Sequence, residues 1–193
     1  MNNNISILIT GVGGQGSLLA ARILGAAAKS SGYMVKVSEV HGMSQRGGSV
    51  VTYVRYGKSV YSPIICRGEA DVILSFEALE AARYLPYLKI GGTVVTSTQQ
   101  INPMPVISGA MTYPSEVIEK MRDAGVKVLC ADALAIAKDA GSVKASNVAL
   151  IGLASESLGF SYDILREAVE ACVPAKATAV NIAAFEAGRA VRK

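Results

Sequence analysis

The chain has 193 residues, 51% of them hydrophobic and 18% charged, so it can bury a sizeable core, roughly 70% of its unfolded surface, and is too apolar for a disordered segment. Its net charge of +4 comes from scattered residues, with only Arg189, Arg192 and Lys193 loosely grouped; without a basic stripe interleaved with aromatics, nucleic acid is a poor partner. Cys66, Cys130 and Cys172 form no CxxC pair, which argues against zinc or iron–sulfur ligation by this chain alone and reads as three buried thiols in a reducing cytoplasm.

Met-Asn-Asn-Asn runs straight into a strand with no visible signal peptide, and no apolar run reaches the length of a membrane span. Ile5 to Thr10 reads as a strand buried on both faces. A glycine loop, Gly11 to Gly16, leads into an Ala- and Leu-rich helix from Ser17 to Ser31, with Gly32 as its stop. Tyr33 to Val40 is the second strand, parallel to the first. Two β-rich runs, Ser49 to Tyr56 and Ser59 to Ile65, flank Gly57-Lys58 and read as an antiparallel hairpin, so the sheet is expected to be mixed.

Ala70 to Phe76 is another strand, followed by a helix from about Ala78 to Leu85, with Pro86 in or near its last turn or breaking it. Gly91-Gly92 turns into a strand from Thr93 to Ser97. Ile101 to Pro114 holds three prolines and reads as irregular, with an edge strand at Pro105 to Ser108. Ser115 is the N-cap candidate of a helix to Asp123, and Val126 to Ala131 is the last strand. Helices then follow at Ala133–Ala140, Ser146–Leu158, Ser161–Cys172 and Ala177–Arg192, with Asp132, Ser146 and Ser161 as caps and Gly141 and Gly159 as stops. The expected architecture is one α/β domain: three α/β/α layers of Rossmann-like type, a mixed sheet with an inserted hairpin, and a helical cluster after about residue 132.

Gly11, Gly13, Gly14, Gln15 and Gly16 spell GxGxxG between a strand and a helix. Such a loop turns tightly and lets a ligand approach the backbone, and the helix N-terminus offers free N–H groups to a phosphate or carboxylate. Glu39 lies 23 residues beyond Gly16, near the place of a ribose-binding acid. Equally, these glycines suit close strand–helix packing with no ligand. Gln15 reads as a hydrogen-bond donor.

A second loop gathers His41, Met43, Ser44, Gln45, Arg46, Gly47 and Gly48 after the second strand, where open α/β sheets place their crevices. His41 is either a general base or a structural hydrogen-bonding group. Arg46 either grips an anion as a fork or pairs with Glu39 or a partner's acid. Met43 suits a partner contact or core, and Gly47-Gly48 suit backbone approach or a sharp entry into the next strand. Glu77 and Glu80 sit where a helix dipole favours acids. Asn147, Asn181 and Glu186, on apolar helices, read as buried hydrogen-bonding devices or subunit contacts. No triad, acid pair or metal cluster assembles from the sequence.

Gly11-Val-Gly-Gly-Gln-Gly16, Ser38-Glu-Val-His-Gly-Met-Ser-Gln-Arg-Gly-Gly-Ser49, Tyr61-Ser-Pro63 and Gly68-Glu-Ala-Asp71 together resemble the gamma-type component of 2-oxoacid:ferredoxin oxidoreductases, most nearly the beta subunit of the indolepyruvate branch. The resemblance implies a single gamma-type domain spanning 1–193 that binds no cofactor alone. Thiamine diphosphate and iron–sulfur clusters would lie on a larger partner subunit, coenzyme A would be the co-substrate, ferredoxin would accept the electrons, and the complex would be cytoplasmic. The Ala-rich helices leave room for a homodimer of the separated chain. The competing readings are a stand-alone NAD-dependent dehydrogenase and a non-catalytic nucleotide- or CoA-binding module.

Overall fold

The computed structural model describes residues 4–41 and 47–191, without the side chain of His41. Strand β1 (Ile5–Val12) lies inside a six-stranded sheet, with Ile7, Leu8 and Ile9 fully buried. Helix α1 (Ser17–Ser30) buries Ala20, Ala21, Ile23, Leu24, Ala27 and Ala28, the three-and-four spacing of one helical face. Strands β2 (Met34–His41) and β3 (Ser49–Gly57) follow, then β4 (Ala70–Ser75), α2 (Ala78–Arg83) and β5 (Leu88–Ser97). After a helical turn α3 (Met104–Ile107) come α4 (Val117–Asp123), β6 (Lys127–Ala131), α5 (Ala133–Asp139), α6 (Ser146–Ala154), α7 (Tyr162–Cys172) and α8 (Thr178–Ala190).

The strand order is β2-β3-β1-β4-β5-β6. β1, β4, β5 and β6 run parallel, and β3 runs antiparallel to both β1 and β2. The sheet is mixed and layered as expected, but the antiparallel hairpin is β2–β3, not the pair of runs around Gly57-Lys58. β3 has a neighbour on each side, so no strand position beside it is left for Ser59–Ile65. That segment is irregular and instead buries Val60 and Ile65. β1 and β2 point the same way, yet β3 separates them.

One hydrophobic cluster joins α1 to the helices after β6: Ile23, Leu24, Val148, Ile151, Leu165, Val169 and Phe185 pack with Ile7, Ile9 and Val54 on one face of the sheet. The other face is covered by α2 and α4, through Ala78, Ala81, Ile118 and Met121 against Leu8, Ile73 and Val94. The C-terminal helices thus share the main core. Helix α6 is buried from Asn147 to Ala154. Gly152 and Gly188 let α6 and α8 touch backbone to backbone, since a Cβ on either would collide with a carbonyl oxygen of the other helix.

Four local expectations differ. Pro105–Ser108 forms part of the turn α3, not an edge strand; prolines suit the first positions of a helix, where no N–H partner is needed. Ser115 does not cap α4, which starts after Glu116 in a left-handed conformation (φ 56°). Ser146 is already helical, and Ser142 caps the preceding turn instead. The thiols are not buried: Cys66 is exposed, and Cys130 and Cys172 are half-buried. Asp132 and Ser161 do cap their helices, by accepting from the amides of Ala135 and Ile164. No helix among the described residues is long and apolar enough to cross a membrane.

Candidate functional site

The glycine loop leaves the carboxyl end of β1 at the centre of the sheet. Gln15 folds back rather than projecting from the loop tip. Its Oε1 accepts from the Val12 amide at 2.7 Å, and its Nε2 donates to the Phe76 carbonyl at 3.0 Å and to Gln99 Oε1 at 3.2 Å. The side chain therefore ties the loop to the ends of β4 and β5. Gly11 makes room for it, because a Cβ there would stand 2.8 Å from Gln15 Oε1. Gly16 opens α1 at φ 89°, with Asn147 of α6 against it: Asn147 Nδ2 donates to the Gly16 carbonyl at 3.2 Å. Asn147 is thus the buried hydrogen-bonding device its place on an apolar helix suggests; Asn181 similarly donates to the Ala177 carbonyl, and Glu186 accepts from Tyr162.

Two of the loop amides are engaged internally. The Gly13 amide donates to the Gly48 carbonyl at 2.9 Å, and that of Gln15 to the Val12 carbonyl at 3.2 Å. No acceptor occurs among the described residues for the amides of Gly14, Gly16, Ser17 and Leu18. These belong to the loop and the first turn of α1, where a helix leaves its N–H groups unpaired. They border an open cleft of about 390 Å³ lined by Gly13, Gly14, Gly16, Ser17, Leu18, Glu39 and Val50. The chain thus brings Glu39 and the glycine loop to one cleft, although β2 and β1 are two strand spacings apart, roughly 10 Å. Thr52, buried beneath, donates to Glu39 Oε2 at 3.4 Å.

Gly47 and Gly48 border a second cleft, of about 500 Å³, on the α2 side of the sheet. Its floor carries two carboxylates, Glu77 (1% exposed) and Glu80 (5%). Glu77 Oε2 caps α2 by accepting from the Glu80 amide at 2.8 Å; its Oε1 accepts from the Ile101 amide at 3.1 Å and from Tyr113 Oη at 2.5 Å. Glu80 accepts from Ser49 Oγ at 2.5 Å and from Arg83 Nε at 3.0 Å. Burial and the Glu77 carboxylate together push the Tyr113 phenol well above its usual range. Met104, Ile107, Ile101, Pro103 and Leu79 form the apolar wall.

These acids are more than dipole-favoured residues at a helix start: they hold the start of β3 and the segment after β5 against α2. Sequence reading missed this role. The available signal was their position just past the carboxyl end of β4. Met43, Ser44, Gln45, Arg46 and the side chain of His41 lie outside the described residues. Among the described residues, no group of three or more His, Cys, Asp or Glu is placed to hold a metal ion.

Residues 6–191 match the family of pyruvate ferredoxin/flavodoxin oxidoreductases. The chain belongs to that family. It is 48% identical over 190 residues to indolepyruvate oxidoreductase subunit IorB of Thermococcus kodakarensis, covering 95% of this chain and 93% of that one. The subunit of the same name from Pyrococcus horikoshii is 50% identical over 188 residues, with the same shares covered. A solved gamma subunit of keto/oxoacid ferredoxin oxidoreductase from Geobacter sulfurreducens superposes with a TM-score of 0.73 at 22% identity, over 97% of this chain and 98% of the other, a likeness of fold. The resemblance carried by the two loops is borne out.

Proposed function

We propose that this chain is the subunit of a ferredoxin-dependent indolepyruvate oxidoreductase that does not bind thiamine diphosphate. The observation that carries this reading is the 48% and 50% identity, over nearly the full length of both chains, to two indolepyruvate oxidoreductase subunits. The family relatives named above are subunits too, which disfavours a stand-alone NAD-dependent dehydrogenase or a free-standing nucleotide-binding module. The fold disfavours the first as well, because β3 stands where a dinucleotide-binding fold has β2 beside β1.

In this reading a larger subunit holds the thiamine diphosphate and the iron–sulfur clusters, and the assembly works in the cytoplasm. A 2-oxoacid, an aryl pyruvate foremost, loses carbon dioxide. The clusters would supply the path by which the two electrons reach ferredoxin, and the acyl group would leave as a thioester of coenzyme A. This chain, as one gamma-type domain, contributes binding and orientation. The free amides of Gly14, Gly16, Ser17 and Leu18, at the positive end of α1, cradle an anionic group of a bound reactant, coenzyme A being the candidate. Arg46 supplies a second anionic contact, and Glu39 accepts a hydroxyl in the same cleft. His41, Met43, Ser44 and Gln45 shape the crevice against the larger subunit.

The test is co-expression with the larger subunit, then oxidation of aryl pyruvates and pyruvate with coenzyme A and a viologen dye, for each component alone and together. Activity is expected only in the mixture, and Arg46→Ala should raise the KM for coenzyme A while assembly persists. Failure to associate, together with no activity on any 2-oxoacid, would overturn the reading.

A further inference from the structure

The two edges of the sheet are not alike. β6 has five residues, begins on Lys127 and is half-buried over most of its length. β2 has eight residues and pairs only with β3, in unbroken register from Met34 opposite Gly57 to His41 opposite Val50. Neither a proline nor a bulge interrupts it. Its outer side presents N–H and C=O groups with no partner among the described residues, and of the devices that usually blunt such an edge it carries one exposed lysine, Lys36. Three of its apolar side chains are open to solvent: Met34 (43% exposed), Val37 (45%) and Val40 (51%).

Those three residues are spaced symmetrically about Val37. When two copies of one strand pair antiparallel across a two-fold axis normal to the sheet, residues that meet must share a face. An axis through Val37 sets it opposite the partner's Val37, Met34 opposite the partner's Val40, and Val40 opposite the partner's Met34. Every exposed apolar side chain of the strand then meets another. Lys36 falls opposite the partner's Ser38, and Glu39 opposite the partner's Val35, so no like charges stand directly opposed. A strand from an unrelated protein would require no such symmetry in β2. We propose that β2 is a self-association edge: two copies of this chain pair through it about Val37, joining their sheets into one.

The experiment uses the purified full-length chain in sedimentation velocity and light scattering at micromolar concentrations. The chain is expected to run as a dimer, and Val37→Lys as a monomer with unchanged circular dichroism. A cross-link tests the register. Cys66 is exposed, so it is first replaced by serine. In that background Val37→Cys should form a disulfide-linked dimer on mild oxidation, since opposed strand residues lie within disulfide reach. Tyr61→Cys, at a site 84% exposed, should not. A monomeric wild type, a Val37→Lys dimer or an absent cross-link would each overturn the proposal. So would a Val37→Lys chain that loses the larger subunit but keeps its own dimer, because β2 would then be the edge for that subunit.

Discussion

The two clefts at the carboxyl end of the sheet are built on opposite terms. The glycine-loop cleft offers backbone amides with no acceptor among the described residues, with Glu39 at its side. The α2 cleft holds two buried acids, yet every carboxylate oxygen of Glu77 and Glu80 already accepts a hydrogen bond from the chain itself. Groups that look chemical here are structural, and groups that look like scaffold are the ones free to meet a ligand. That suits a subunit that positions reactants for chemistry done elsewhere.

The largest expected effect comes from removing the acid that organises the second cleft. Glu77→Ala leaves the amides of Glu80 and Ile101 and the Tyr113 hydroxyl without their acceptor. A buried donor so orphaned costs about 1–3 kcal/mol; with the Glu80 amide buried and the other two donors part-buried, a loss of about 2–3 kcal/mol is expected in urea unfolding. A loss below about 1 kcal/mol would mean that the carboxylate is replaceable, and the contrast between the clefts would fail.

The glycine loop is sharpened by a pair of substitutions. Gly14 (φ 104°) and Gly16 (φ 89°) both lie in the left-handed region, where a Cβ costs about 1–2 kcal/mol. A Cβ at Gly14 would meet nothing within 4 Å, whereas one at Gly16 would run into the Asn147 amide. Gly14→Ala should therefore cost about 1 kcal/mol and Gly16→Ala at least about 2 kcal/mol. Equal losses in thermal unfolding would mean that Asn147 yields freely and does not clamp the loop. If the free amides bind an anion, Gly14→Ala should also weaken binding of coenzyme A to the assembled enzyme by more than its small stability loss suggests.

The difference between the clefts was only half legible in the sequence. Ile5 to Val12 is an apolar run that ends in glycines, so β1, the loop and α1 could be placed from local pattern alone. β2 and β3 were also visible as strands, but their pairing depends on which edges are filled. Ser59–Ile65 looks as β-rich as Ser49–Tyr56, and only the closure of β3 between β1 and β2 denies it a partner. Glu77 and Glu80 could be read as favourable at a helix start. Their burial depends on Ile101 and Tyr113 returning from more than 20 residues away, across a segment whose three prolines carry no periodic signal. Asn147 reaches Gly16 from 131 residues downstream, a contact that no local pattern encodes.

The smallest effect at neutral pH separates a buried hydroxyl from a titrating one. Burial raises the Tyr113 phenol first and the Glu77 hydrogen bond raises it further; burial, then the charge of Asp71, does the same to Tyr56, whose hydroxyl donates to the Leu158 carbonyl in the main core. An unfolded tyrosine ionises near pH 10. A folded pKa above that value means that the contribution to stability is complete below about pH 10. It is lost as the pH rises from there through the folded pKa. Stability should thus be insensitive to these two groups between about pH 7 and 9. Above pH 10 it should fall with a slope that Tyr113→Phe makes shallower. Absorbance at 295 nm checks this directly: two of the eight tyrosines should ionise only together with the loss of near-ultraviolet circular dichroism. A phenol that ionises before unfolding and is absent from Tyr113→Phe would show that solvent reaches the Glu77 hydrogen bond, and that the α2 cleft is as open to ligands as the glycine-loop cleft.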